Sequence, residues 1–413
     1  MVPWGGRMSR VRGLLLVFAV SLFTRLIAWQ VLERQVAAEP GRLYVVAGDA
    51  DGYWDLGGDI AAGREYAVHH PPRRAMRSPG LPIVIAASVR TFGDSRPAAR
   101  GVLATVTALG PVAVTLIAGV WFPGAAAVAA GLLAAVSPLA VGLSACLLSD
   151  GLFATLLVWQ GVPLAVAWGG GRQRVGWLAA AAGALGAAAV LVRAAWLPAA
   201  VAIAVVWFWR ARSDRWSAVI YMLALTAGLL PWAVRNGRAV GVFTPTTLWV
   251  GPTLYDSFRP GSDGGSDMRF FDADADLRAA MSEAEVNRHY RDATLAVIRD
   301  DPAAAARLAV RKQARFWSLW PRETTPGGMT GKAVIAGWSL LVLALGGVAA
   351  WRQRRQVDLL LVTLAPLLYF ALLHLVFVGS PRYRMPAELP VCVLAVAATL
   401  SRGTRELPAT APQ

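Results

Sequence analysis

Apolar runs of membrane-crossing length recur from one end of this chain to the other, and they leave it few ways to fold. Inside a hydrocarbon layer of about 30 Å every backbone N–H and C=O must be paired within the chain, so each crossing is a helix of roughly 20 apolar residues. The runs predict ten spans, at Val11–Leu32, Arg100–Val120, Phe122–Leu139, Leu143–Trp168, Val175–Val192, Ala194–Trp209, Trp216–Val234, Lys332–Ala350, Val357–Val378 and Met385–Leu400. With 56% of its 413 residues hydrophobic and 16% charged, the chain is too apolar for a soluble protein of this size. Leu81–Phe92 is short for a span and reads as re-entrant or interfacial.

Ten spans put the clusters Arg7/Arg10/Arg12, Arg172/Arg174, Arg210/Arg212/Arg215, Arg352/Arg354/Arg355 and Arg402/Arg405 on one side, 13 basic residues against Asp214, Asp358 and Glu406. By the positive-inside rule that side is cytoplasmic and holds both termini, whereas an eleventh span at Leu81–Phe92 would turn the later clusters outward. The expectation is a multi-pass protein of the plasma (inner) membrane, with one transmembrane domain over 1–405 and a short tail at 406–413. Its two large extracytoplasmic segments are 33–99 and 235–331. Residues 33–80 carry six Arg and seven acids, and residues 235–331 carry 13 Lys/Arg and 12 acids, so the net charge of +15 lies elsewhere. Topology accounts for it, and no nucleic-acid partner is needed. Cys146 and Cys392 fall inside apolar runs and read as small hydrophobes, with no disulfide and no metal cluster expected. The basic start and first apolar run, without a small-residue cleavage site, read as a retained anchor.

Chemistry is therefore sought at the outer face. Gly48-Asp49-Ala50-Asp51-Gly52-Tyr53 follows the first span and sets a carboxylate at the membrane surface. Tyr53, Trp54, Leu56, Ile60 and Ala61 then recur on a helical spacing, which predicts an interfacial helix over Tyr53–Ala62 whose N-terminus favours an anion beside it. A Pro-stiffened basic stretch follows, His69-His70-Pro71-Pro72-Arg73-Arg74 and then Arg77-Ser78-Pro79-Gly80. In the second outer segment, Gly, Ser and Asp make residues 262–276 read as mobile. Ser282-Glu283-Ala284-Glu285 is a capping box that opens a helix with Val286, Tyr290 and Val297 on one face. Asp301-Pro302 opens another, expected to run to an aromatic belt at Trp320-Pro321. Asp150 and Arg25 each sit roughly 10 Å below the outer ends of their spans at about 1.5 Å per residue, where either a mutual salt bridge or a site-facing role is expected.

Five fragments in order, "GDADGYWDLGGDIAAGREY", "RSPGLPIVIAASVRTFGDSRPAAR", "LLSDGLFATLL", "LLPWAVRNGRAVGVFTP" and "SPRYRMPAELP", resemble the GT-C glycosyltransferases that use polyprenyl-phosphate sugars, particularly the protein O-mannosyltransferase, aminoarabinose transferase and RgtA/B/C/D-like group. The resemblance implies an all-α, polytopic GT-C-type membrane protein of about ten transmembrane helices, with interfacial helices in the first outer segment and a partly helical second one. It also implies a catalytic Asp in the first outer segment, which falls on Asp49 with Asp51 as the near alternative. Two departures stand out. The acid near the start of the fourth span, often Glu in relatives, is Asp150, and the soluble domain that larger relatives carry after the last span is not expected.

A sugar on a lipid phosphate is already activated, so the protein has to take a proton from an acceptor hydroxyl and hold the departing phosphate. Asp49 suits the first task. Arg382 and Arg384, at the outer mouth of the last span, are the preferred phosphate ligands, with Arg77, Arg100 and Arg235 on the same side. Tyr53, Asp150, Tyr383 and His70 complete the candidate pocket. The implied partners are a polyprenyl-phosphate sugar donor and an extracytoplasmic glycan, lipid or protein acceptor. No spacing requires a metal, though His69 and His70 with Asp49 or Asp51 form the set that could hold a divalent ion. The competing class is a polytopic transporter or lipid flippase, for which internal repeats and midplane charges are the expected marks.

Overall fold

The computed structural model describes residues 7–44, 48–170, 176–210, 215–321 and 328–400. Within them the chain is helical throughout, with one isolated bridge between Val68 and Arg73. Arg172/Arg174, Arg212 with Asp214, Arg402/Arg405 with Glu406, and the tail 406–413 lie outside the described residues. In chain order the helices are α1 (Arg7–Ala37), α2 (Asp49–Ala62), α3 (Gly80–Phe92), α4 (Arg96–Thr107), α5 (Gly110–Trp121), α6 (Gly124–Ala135), α7 (Pro138–Ser144), α8 (Ser149–Gly169), α9 (Gly176–Val192) and α10 (Leu197–Arg210). They continue as α11 (Arg215–Val240), α12 (Val250–Phe258), α13 (Arg269–Ala273), α14 (Ala275–Ala280), α15 (Glu283–Asp300), α16 (Pro302–Phe316), α17 (Gly328–Arg352), α18 (Val357–Thr363), α19 (Ala365–Leu373) and α20 (Pro381–Thr399).

The expected spans all fall on helices, but several are broken. Among the described residues five helices are long and apolar enough to cross a membrane: Met8–Ala37, Arg96–Trp121, Ser149–Gly169, Arg215–Val240 and Gly328–Arg352. The pair α6 and α7, bent by 58° between them, is long and apolar enough only when the two are taken together, as a broken span or a re-entrant loop. The bend follows from Ser137-Pro138, since proline cannot donate to the preceding turn and frees a carbonyl there. Ala134 O, which Pro138 cannot reach with a donor, accepts the Ser137 N–H at 3.3 Å, and the next carbonyl, Ala135 O, left by the same break, accepts from Thr24 Oγ1 and Arg25 Nη1 at 3.2 and 3.3 Å; Arg25 also donates to Ser21 Oγ at 2.7 Å. The expected Arg25–Asp150 salt bridge is thus absent: Arg25 satisfies a helix end, which matters where no water can do so.

Two other expected spans, Val175–Val192 and Ala194–Trp209, appear as α9 and α10 on either side of Arg193. That residue is extended (φ −141°, ψ 100°) ahead of a 3-10 turn at Ala194–Trp196. The ninth expected span is divided into α18 and α19 at Leu364. The core is made by α5, α6, α8, α9 and α20, with α1, α11 and α17 packed outside. Gly80 sets one close approach: a Cβ there would lie 2.5 Å from Val192 Cγ2 and 2.8 Å from the Leu191 carbonyl oxygen. Only glycine lets α3 start against the end of α9, which brings the Arg77-Ser78-Pro79 strap to the Arg193 corner.

The described residues between α11 and α17 fold as a small helical cap. The Ser282 capping box forms as expected, with Glu285 Oε2 accepting the Ser282 N–H at 2.8 Å, and Val286 and Tyr290 are buried against Phe271. Residues 262–276, expected to be mobile, are tied to the buried Asp256 carboxylate, which accepts from Ser266 Oγ at 2.7 Å and Asp267 N at 2.8 Å. The helix opened by Asp301-Pro302 ends at Phe316 rather than Trp320, because Arg384 Nη1 takes the Phe316 and Ser318 carbonyls at 2.6 and 3.1 Å. Trp249 packs on both this cap and the Leu56/Val68/Met76 cluster of α2 and the chain leading to α3, so the two segments share apolar contacts.

Candidate active site

Asp49 is the first residue of α2, which starts four residues earlier than the apolar spacing predicts. The reason is local. The Asp51 carboxylate turns back to accept the Gly48 N–H at 2.8 Å, capping the helix and committing Asp51 to its own N-terminus. Asp49, with its side chain 51% exposed, faces Arg77 instead: Arg77 Nη1 donates to Asp49 Oδ1 at 3.0 Å, and the guanidinium lies 4.9 Å from the centre of the Tyr53 ring. Burial alone would lower the Arg77 pKa, and the Asp49 carboxylate and the Tyr53 hydroxyl together more than offset it, so the pKa is raised. Gly52 makes the contact possible, since a Cβ there would lie 2.8 Å from Arg77 Nε.

On the other side of Asp49 stands Arg382, with Nη2 at 3.9 Å from Asp49 Oδ2. Ser380 caps α20, its hydroxyl accepting the Arg382 N–H at 3.2 Å, so Arg382 occupies the first turn of that helix. Its Nε and Nη2 hold Asp150 Oδ2 at 2.9 and 2.7 Å, and Arg193 Nη1 holds Asp150 Oδ1 at 3.0 Å. Asp150 is fully buried in the first turn of α8, where the helix dipole favours a carboxylate. Tyr383 lies between the two guanidiniums, 5.1 Å from Arg193 and 5.9 Å from Arg382, with its ring stacked on His374 at 5.0 Å. The N-termini of α2, α8 and α20 therefore converge on one row of alternating charge: Arg77, Asp49, Arg382, Asp150, Arg193. Converging helix N-termini lined with guanidinium groups are suited to an oxyanion such as phosphate.

Of the residues singled out from sequence, Asp49, Arg77, Arg382, Asp150, Tyr53 and Tyr383 come together. The others stand elsewhere. Arg384 is fully buried in an ion pair with Glu388 one helical turn on, and it clamps the end of α16. Arg100 binds Glu33 at 3.0 Å and the Leu43 carbonyl, tying α4 to the C-terminal end of α1. Arg235 donates to the carbonyls of Arg74 and Tyr66 and stacks on Tyr66 and Trp232. His70 is exposed at the tip of the turn closed by Val68 and Arg73 and takes no part in the row of ion pairs. Arg193 was not foreseen. Its signal is a single basic residue inside Val190-Leu191-Val192-Arg193-Ala194-Ala195-Trp196, an apolar context in which a charge is costly unless paired.

Further along α8 from this row, an apolar cleft of about 140 Å³ runs between α5, α8, α10 and α18–α19, lined by Ile117, Leu157, Leu164, Trp196, Ile203 and Tyr369. Trp196 joins the two regions: it contacts Phe153, over which Arg193 lies at 5.8 Å.

No protein-family model and no curated protein matches the chain. Solved structures do. The oligosaccharyltransferase of Archaeoglobus fulgidus, tethered to an acceptor peptide, superposes with a TM-score of 0.58 at 17% identity over 96% of this chain and 50% of that one. Archaeal AglB from the same organism, in complex with an inhibitory peptide and a dolichol-phosphate, gives 0.56 at 16% over 92% and 50%. The chain shares the membrane fold of these oligosaccharyltransferases. It spans about half the length of those oligosaccharyltransferase chains. ArnT from Cupriavidus metallidurans bound to undecaprenyl phosphate also matches, at a TM-score of 0.49, 14% identity and coverage of 94% and 60%.

Proposed function

We propose that the protein is a membrane glycosyltransferase that moves a sugar, a hexose or a pentose, from a polyprenyl-phosphate donor to a hydroxyl of an extracytoplasmic glycan, lipid or protein. The observation that carries this reading is the half-exposed Asp49 carboxylate set between Arg77 and Arg382 at the convergence of three helix N-termini. A charged row with an apolar cleft further along α8 matches an amphiphile with a phosphate head and a hydrocarbon tail, and AglB of the same fold was solved with a dolichol-phosphate.

Asp49 acts as general base. The acceptor oxygen bonds to the anomeric carbon, its proton passes to Asp49, and the bond from that carbon to the phosphate oxygen breaks with its electron pair leaving on the phosphate. Arg77 and Arg382 hold that phosphate with charge-assisted hydrogen bonds and stabilise the charge that develops on it. Asp150 and Arg193 fix the place of Arg382. One displacement inverts the anomeric centre, by the reasoning that separates inverting from retaining glycosidases. Active site and acceptor lie on the extracytoplasmic face, with the basic clusters on the other.

The test is mass spectrometry of envelope glycans and lipids from cells carrying wild type, Asp49→Asn or Asp51→Asn. Asp49→Asn should lose one sugar that wild type installs, and Asp51→Asn should keep it with little loss of stability, since the amide oxygen still accepts the Gly48 N–H. An Asp49→Asn strain with the sugar in place, or a lipid displaced across the bilayer with no sugar moved, would overturn the assignment.

A further inference from the structure

We propose that the donor phosphate and the Asp49 carboxylate compete for one pair of guanidiniums, so that donor binding releases the base to face the acceptor. The inference rests on the donor reading of the same site and adds an order of events to it. Three observations carry it.

First, the groups assigned to the phosphate are those that hold Asp49: Arg77 Nη1 at 3.0 Å from one carboxylate oxygen and Arg382 Nη2 at 3.9 Å from the other. A guanidinium presents a planar fork that fits one oxyanion well, and a phosphate oxygen reaching both forks enters the space of the Asp49 oxygens. Second, the row is not uniformly fixed. Arg382 is anchored by two contacts of 2.9 and 2.7 Å to a fully buried Asp150, which Arg193 holds from the far side at 3.0 Å. Asp49 is the exposed member, at 51%, on the first turn of α2, so it is the group that yields. Third, the 3.0 Å contact to Arg77 and the facing Arg382 draw on the Asp49 charge, which makes the carboxylate a poorer proton acceptor than it is once a phosphate has taken those guanidiniums. The acceptor is then engaged productively only after the donor, when a sugar is in place to receive the nucleophile.

Equilibrium binding of farnesyl phosphate, a short polyprenyl phosphate, to the purified full-length protein in detergent tests this. Asp49→Asn removes the internal competitor, so its Kd should fall about fivefold against wild type, the effect expected from losing a half-exposed ion pair. Asp49→Ser should do the same, and both are read only with melting temperatures at the wild-type value. In an Arg77→Gln background the gain from Asp49→Asn should shrink to about twofold or less, because the shared partner is gone. Unchanged or weaker binding in Asp49→Asn overturns the proposal. An undiminished gain in the Arg77→Gln background overturns it too, since the effect would be general charge rather than a shared ligand. The catalytic reading is judged separately: Asp49→Asn that still transfers sugar sinks the base assignment whatever the Kd does.

Discussion

Gly52→Ala separates the chemistry of the site from the stability of the fold. The new Cβ would stand 2.8 Å from Arg77 Nε and 3.3 Å from both Cζ and Nη2. Carbon contacts settle near about 3.5 Å, so the guanidinium has to retreat by roughly 0.7 Å. Such a shift would open the 3.0 Å contact to Asp49 to roughly 3.6 Å, past hydrogen-bonding range. What yields is the far end of a flexible side chain, and alanine favours the helix over glycine by about 0.5–1 kcal/mol. The half-exposed Asp49 pair is worth no more than about 1 kcal/mol, so the melting temperature in detergent should stay near wild type. Transfer should not. A displaced charge-assisted contact to the phosphate forfeits about 1.5–3 kcal/mol, or roughly 10- to 100-fold in kcat/KM, read as initial rates with a polyprenyl-phosphate sugar in micelles. Wild-type rates in Gly52→Ala would refute the role given to Arg77, and a melting temperature lowered by several degrees would show that α2 itself rejects the methyl group.

Lys312 is fully buried in α16, with Nζ 3.3 Å from the centre of the Phe258 ring and donating to the Val376 carbonyl at 2.6 Å. Burial pushes its pKa from 10.5 down to about 7. The unfolded chain then binds the proton more readily than the folded one between those values, so stability should rise with pH from about 7 to 10.5 and Lys312→Met should flatten the slope. A wild-type melting temperature constant from pH 7 to 9.5 would show that the ring face and the carbonyl cancel the burial. Arg193→Ala leaves the buried Asp150 with Arg382 alone and should cost about 2 kcal/mol with a loss of transfer. Adding Asp150→Asn should restore part of the stability and none of the transfer, and recovery of both would make the pair purely structural.

Much of the site can be read before any coordinates: Asp150 and Arg382 stand at the ends of apolar runs, where a charge needs a reason, and Asp49 and Arg77 stand out in the charged segment that follows the first span. The reading fails where direction matters. Arg382 and Arg384 look equivalent in Arg382-Tyr383-Arg384, but α20 has begun by then, and two residues along a helix turn a side chain by roughly 200°. One guanidinium meets Asp150 and the other meets Glu388. Arg193 escapes because it falls at the join of two apolar stretches, where a lone basic residue looks like a span end. The span pattern likewise hides breaks. Apolar periodicity continues through Ala108-Leu109 and Val136-Ser137, and only the prolines at 111 and 138 mark that the backbone does not. Gly52 carries no periodic signal at all, because its need is set by a side chain 25 positions away.

The alternation along Arg77, Asp49, Arg382, Asp150 and Arg193 has an electrical consequence for the proposed step. Those five groups sum to a single positive unit, and a phosphodiester donor brings the total to zero. As the sugar departs, the phosphate left behind gains one negative unit while the proton from the acceptor neutralises one carboxylate, and the total is still zero. Low-dielectric surroundings penalise an uncompensated ion far more than a rearranged one. A row built this way completes the exchange without drawing a counterion in from water.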